Sequence, residues 1–262
     1  MSISTEIQRI MTAKTNIKTA IENKGVTVGD GTIDTYAEKI GKIETGGSGD
    51  YEQGYEDGKN SVIDFVKYAK TVQFNSLNDF GKPEIELNLD SCTTLANLCS
   101  VTSAENRNNT VEHLTINCGY PTMMSAMLSS GYQIRDQKLK QLTLNFNTVN
   151  VTSFNNAFNC LQAVEIIDGQ PLNLSNATNV TNMFNYNDAL KEVRFVEKSI
   201  PMSINFAYSS AMSAETIQSI IDGLADLTGG TAQTLTLHAT VGGKLTDEQK
   251  ATITAKNWTL VY

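Results

Sequence analysis

Histidine is scarce in this chain: His113 and His238 are the only two among 262 residues. Cysteine is nearly as rare. Cys92, Cys99, Cys118 and Cys160 form no Cys-x-x-Cys pair and no zinc-ribbon spacing. So few nitrogen and sulfur ligands argue against a metalloenzyme and against any bound cofactor, and the thiols read as small buried hydrophobes. Charge is thin as well, at 18% of residues against roughly 25% in typical soluble proteins. Disordered chains join low hydrophobicity to high charge, so this low charge speaks for a folded chain. Positive charge is in shortest supply: 20 Lys and Arg face 28 Asp and Glu, a net −8 with a pI near 4.8. An acidic surface repels phosphate backbones, which makes nucleic acid a poor partner. No apolar run is long enough to span a membrane, a length of about 18 residues. The residues after Met1 carry no apolar stretch of the signal-peptide kind, so the expectation is a protein made in a cytoplasm.

What fills the composition is uncharged polar: 40% of residues are apolar, and Asn and Thr recur through the middle of the chain. The apolar residues are not spread evenly. Near the N-terminus Ile3, Ile7, Ile10, Ile17 and Ile21 follow the 3-4 alternation of a heptad seam, with Lys14 in the one missing place. Isoleucine at both a and d positions favours three strands over two, which predicts a trimeric coiled coil that docks or assembles through these six residues. Lys24-Gly25 ends that helix. A short Val26–Val28 strand, the Gly29-Asp30-Gly31 turn and a small helix through Ile33, Tyr36, Ala37 and Ile40 follow. Gly46-Gly47-Ser48-Gly49 reads as a linker, and the Tyr-x-x-Gly run Tyr51–Lys59 as a bridging helix.

From about Lys70 one pattern repeats: apolar-x-x-apolar-x-apolar, as Val111–Leu114–Ile116, Leu139–Leu142–Leu144, Leu161–Val164–Ile166 and Leu190–Val193–Phe195. Weaker copies lie at Leu87/Leu89, Leu235/Leu237 and Trp258/Leu260, with Val72/Phe74 as an opener. Val151, Phe154, Ala157, Leu161, Val164 and Ile166 align without gaps on Val180, Met183, Tyr186, Leu190, Val193 and Phe195, each 29 residues later. A period of that size predicts a leucine-rich-repeat-like β-solenoid, one short strand per turn. Its predicted core is Leu114, Ile116, Leu142, Leu144, Val164, Ile166, Val193, Phe195, Leu235 and Leu237. Ser213 reads as a helix N-cap before Ile217, Ile220, Ile221 and Leu224, and Thr246–Gln249 as a capping box before a second helix. This end reads as a unit that closes the solenoid. The expected fold class is therefore α+β: an N-terminal helical coiled-coil module over 1–45, a linker and bridging helix over 46–69, a solenoid over 70–212 and a C-terminal capping unit over 213–262.

Signals for catalysis are thin. Neither histidine sits in a Gly-x-Ser-x-Gly or His-Glu-x-x-His context, and His113 alternates outward opposite Leu114. Glu84/Glu86 reads as a solvated strand face and Asp247/Glu248 as partners of a helix dipole. The expectation is a protein that is not an enzyme. Asn88, Asn117, Asn145 and Asn147, in and after the strands, read as stacked polar ladders before they read as carbohydrate contacts.

Three segments carry a resemblance. Met11–Val28, continuing through Ile33–Ile40, resembles the N-terminal module of tail, baseplate and fibre proteins from phages of Gram-positive bacteria. Asn179-Val180-Thr181-Asn182-Met183-Phe184 with Ala189–Val193 resembles BspA-like leucine-rich repeats, and Ser213–Tyr262 is similar to the closing unit of prophage proteins of that group. The resemblance implies a virion protein of the tail, baseplate or fibre, assembled in the bacterial host cytoplasm. It would attach by its N-terminus as a homotrimer beside other virion proteins and present its repeats to a host cell-wall or surface ligand. A head fibre or capsid decoration protein, or a prophage-encoded adhesin or scaffold that is never packaged, are the alternatives.

Overall fold

A computed structural model describes residues 3–23, 27, 70–74, 77–99, 108, 110–129 and 138–262. The chain divides into two compact units, Met1–Lys59 and Asn60–Tyr262. In the first, Ile3–Glu22 forms α1. Of its heptad positions, Ile7 and Ile17 are 53% and 39% exposed, Lys14 is half-buried, and Ile21 is buried. The Ile3 and Ile10 side chains, the expected 26–40 module, the Gly-Ser linker and the Tyr-x-x-Gly run lie outside the described residues. The described residues thus contain a single N-terminal helix and no evident coiled-coil module.

The second unit is built on parallel strands in chain order. β1 (Glu84–Leu89), β2 (His113–Cys118), β3 (Gln141–Asn145), β4 (Ile166–Leu172) and β5 (Glu192–Phe195) pair in that sequence. A separate three-stranded parallel sheet joins β6 (Ile204–Phe206), β7 (Gln233–Leu237) and β8 (Trp258–Val261). Alternate residues of each strand point inward, so the register stacks like on like: Ile85, Leu114, Leu142, Ile167 and Val193 form one inner row. Leu87, Ile116 and Leu144 form the next. Turns on the opposite side supply the rest of the core. Leu95, Met124, Phe154 and Val180 follow one another there, and the amides of the first three each donate to a carbonyl of the turn that follows. A single apolar cluster runs from Val72 to Trp258.

These turns share a backbone signature. Asn97, Ala126, Asn156 and Asn182 occupy corresponding places with φ of 55°, 52°, 53° and 54°. Asparagine tolerates this left-handed region, whereas alanine is strained there by about 1–2 kcal/mol. Glycine carries no such strain, so Ala126→Gly is expected to raise the unfolding free energy by up to about 1 kcal/mol, measured by urea denaturation.

The expected fold class is corrected here. The strands do not run on as one solenoid under a cap. The stack stops at β5, and the described residues form two parallel sheets with four α-helices, one of them at the N-terminus. The reason is local. α2 (Ala214–Gly223) lies along the far side of β5, where Thr216 Oγ1 accepts from the Val193 amide at 3.2 Å and Ser219 Oγ from the Phe195 amide at 2.9 Å. Two hydroxyls thereby take the amides a sixth strand would have used.

Sequence did locate the helices of this region. Ser213 caps α2 by accepting from the Thr216 amide, and Ile217, Ile220 and Ile221 are buried on one face. After the short α3 (Ala239–Gly242), α4 (Asp247–Ala255) opens on the complete Thr246/Gln249 capping box. Just past α4, Lys256 Nζ donates to the Ile221, Asp222 and Leu224 carbonyls at 2.8, 3.3 and 3.0 Å, closing the C-terminus of α2. A cation is favourable at that negative end of the helix. Burial nonetheless outweighs the attraction of Asp222 and holds the lysine pKa below its ordinary value. Lys256→Met keeps the stem but removes the donor of the Leu224 carbonyl, while the Ile221 and Asp222 carbonyls keep the Leu224 and Lys198 amides. The expected loss of stability is about 1–3 kcal/mol in thermal or urea unfolding.

Candidate functional site

The outward side of β1–β5 is a polar face whose residues hold one another across the strands. Its first row is Glu84, His113, Gln141, Ile166 and Glu192, and its second Glu86, Thr115, Thr143 and Asp168. The third row is Asn88, Asn117 and Asn145. Asn117 Nδ2 donates to Asn88 Oδ1 and Glu86 Oε1, both at 2.6 Å, and Asn145 Nδ2 donates to Asn117 Oδ1 at 2.9 Å. Asp168 bridges the next two positions, accepting from Gln141 Nε2 at 2.8 Å and Thr143 Oγ1 at 2.6 Å. His113 Nδ1 lies 3.7 Å from Glu84 Oε1 with both side chains well exposed.

A second ladder runs along the turns. Thr122 donates its amide and its hydroxyl to the Thr93 carbonyl, Thr152 does the same to Thr122, and Thr178 to Thr152, all between 2.8 and 3.3 Å. At one edge Lys191 Nζ meets Glu165 Oε2 at 2.6 Å, and that hydrogen bond lowers the Glu165 pKa. Side chains locked in this way make a stiff surface of amides, hydroxyls and carboxylates. The same locking fixes their orientation before any partner arrives, which lowers the ordering cost of binding.

Reactive groupings do not emerge from this geometry. Among the described residues no three His, Cys, Asp or Glu side chains are placed to hold a metal ion. All four cysteines are buried as thiols. Burial is the main cause that pushes Cys118 up to about 12, with the neighbouring Cys92 adding to it, and the Cys118 thiol donates to the Cys92 carbonyl at 3.5 Å. The thiolate is the nucleophilic form, so a thiol held protonated this strongly is unreactive at neutral pH. His238 caps α3, its Nδ1 accepting from the Thr240 amide at 3.1 Å.

The structure sorts the sequence-predicted residues plainly. Leu114, Ile116, Leu142, Leu144, Val164, Val193, Phe195, Leu235 and Leu237 are buried and serve the scaffold. Ile166 is not among them: it is half-buried on the outer face beside Gln141, and Ile167 takes the inward place opposite Leu142. A one-residue slip in a strand exchanges its faces, so Asp168 falls outward and becomes the bridge described above. Sequence phase alone hid it. Of the N-terminal residues, Ile7, Lys14, Ile17 and Ile21 lie along α1 with the exposures given above.

No family model matches the chain. No curated protein and no solved structure matches it either.

Proposed function

We propose that this chain is a structural protein of a bacteriophage particle, of the tail, baseplate or fibre. It contributes a rigid hydrogen-bonding face for a host-surface ligand or a neighbouring virion protein. The observation that carries the binding half is the lateral bonding of the outer face: Asn88, Asn117 and Asn145 joined along one row, and Asp168 of the second row tied to Thr143 beside it and to Gln141 of the first. The virion half rests on the resemblance of residues 11–40 and 213–262 to phage proteins.

Mass spectrometry of purified particles tests the assignment directly. The chain is expected in stoichiometric amount, and its absence from intact virions overturns the reading in favour of a cellular scaffold. Immunogold labelling then separates tail from head. For the binding half, the full-length protein is expected to sediment with host cell walls. Substituting Thr115 and Thr143 by lysine disturbs the outer face without touching the buried rows. Unchanged sedimentation of that variant removes the face from the proposal.

A further inference from the structure

Two short segments lie side by side where the two sheets meet. Phe184 and Phe206 stack with centroids 4.9 Å apart, and two residues on, the Tyr186 and Tyr208 rings lie 4.2 Å apart, tilted at 40°. The same offset brings Asn187 opposite Ser209. Both are fully buried, and each carries a polar atom with no hydrogen-bond partner: Asn187 Nδ2 and Ser209 Oγ. Asn185 Oδ1, on the other side of Tyr186, is unpartnered too. The other atoms of these amides are engaged, since Asn187 Oδ1 accepts from the Leu161 amide at 3.0 Å and Asn185 Nδ2 donates to Asn182 at 2.8 Å. The backbone here is strained as well. Tyr186 has φ of 57° and Cys160, whose amide donates to the Asn185 carbonyl, has 63°. Strained residues and orphaned buried polar groups gather at functional sites more than elsewhere. Tyr208 is 37% exposed, so the tyrosine pair opens to solvent on one side.

We propose that this is a binding site for a neutral saccharide. One sugar ring stacks on Tyr208, and its hydroxyls meet Asn187 Nδ2, Asn185 Oδ1 and Ser209 Oγ as the tyrosine pair parts. The chemistry of the three atoms selects the ligand class. They comprise an amide donor, an amide acceptor and a hydroxyl, all uncharged. A charged ligand would be desolvated against them without a counter-charge. A purely apolar one would leave all three unpaired. A pyranose has both an apolar C–H face for an aromatic ring and hydroxyls at its edge. The site names a ligand class for the binding role proposed above, and it lies apart from the outer face of β1–β5.

Saturation-transfer NMR on the full-length protein tests it, with glucose, galactose, N-acetylglucosamine and their linear oligomers as probes and glucuronic acid as the charged control. Transfer to at least one neutral probe is expected, with none to the control. Tyr208→Ala is expected to weaken that probe about ten-fold or more. Ser209→Ala should weaken it about five-fold, the worth of one hydrogen bond, while leaving the melting temperature unchanged or higher, because an unpartnered hydroxyl contributes nothing to the fold. Failure of every neutral probe overturns the proposal. So does a lowered melting temperature in Ser209→Ala, which would mean that the hydroxyl serves the fold. Particle composition is measured separately, so the saccharide site and the virion assignment can fail independently.

Discussion

Phe184→Ala is expected to lower the unfolding free energy by about 3–5 kcal/mol, the range for removing a fully buried aromatic ring. Phe184 is 0% exposed and touches three other rings: Phe206 at 4.9 Å, Phe158 at 5.5 Å and Phe195 at 6.2 Å. Phe195 belongs to the five-stranded sheet and Phe206 to the three-stranded one, so this ring packs against both. Emptying its place removes contacts on both sheets at once, and each aromatic pair adds about 0.5–1.5 kcal/mol beyond its buried area. Urea denaturation followed by far-UV circular dichroism measures the loss. A second outcome is expected in the same experiment. With the shared ring gone, residues 196–262 should unfold at lower urea than β1–β4, giving a broadened or biphasic transition. A sharp single transition with a loss under about 1 kcal/mol would show that the two sheets do not depend on this ring.

Gly169→Ala is the second large effect, and it acts through the backbone. Gly169 pairs with Leu144 in the ladder and has φ of 87°. A Cβ there would overlap the Leu144 carbonyl oxygen and come within 2.7 Å of the carbonyl carbon and 2.9 Å of the nitrogen. The left-handed conformation alone costs about 1–3 kcal/mol for a side-chain-bearing residue. Relieving the overlap by shifting strands in a packed core costs about 1–3 kcal/mol more. The combined loss, about 2–6 kcal/mol, is measured as a fall in melting temperature. Gly230→Ala is the control: its φ is not in the left-handed region and a Cβ would approach only the Leu227 carbonyl oxygen, at 3.3 Å. It should change stability little.

Gly169 also explains where the sequence pattern went astray. β4 takes five steps from Ile167 to Leu172 while its partner β5 takes two from Val193 to Phe195, and the register shifts between them. An insertion inside a strand is invisible to a period count. The apolar-x-x-apolar-x-apolar template slid along β4 and accepted Ile166 in place of Ile167. The gapless 29-residue alignment failed for a related reason. Ser153 pairs with Asn179, so Phe154 corresponds to Val180 and not to Met183. Apolar residues at every third position match themselves after a shift of three. Hydrogen bonds and the left-handed residues Asn156 and Asn182 break that degeneracy in space, but neither is written in hydrophobicity.

Other features were open to reading. The parallel strands begin and end close to where the short apolar pairs fall, because alternation with period two is a direct consequence of the pleat. Caps were legible for the same sort of reason: Ser213 and Thr246 satisfy amides within three residues of themselves. The isoleucine seam of α1 falls on a single helix with no coiled-coil module evident among the described residues, since spacing records where residues lie on a helix and not what covers them. The end of the sheet at β5 was not legible at all. Thr216 and Ser219 look like ordinary helix residues until they are found against the Val193 and Phe195 amides. The polar face was half legible. Asn88, Asn117 and Asn145 stood out as a recurring residue type, whereas Asp168 depended on the phase of β4.

Those two hydroxyls have a consequence for solubility. A parallel strand with bare amides is a template on which any extended chain can grow, and crowded assembly favours such growth. Thr216 and Ser219 occupy the Val193 and Phe195 amides with groups that cannot propagate a sheet, so aggregation cannot start from that side of the molecule. Substituting both with valine would remove those acceptors while α2 still covers the strand, leaving the two amides buried without partners. The variant is expected to lose about 2–6 kcal/mol in urea unfolding, about 1–3 for each stranded amide, and to expose that edge of β5 only as α2 detaches.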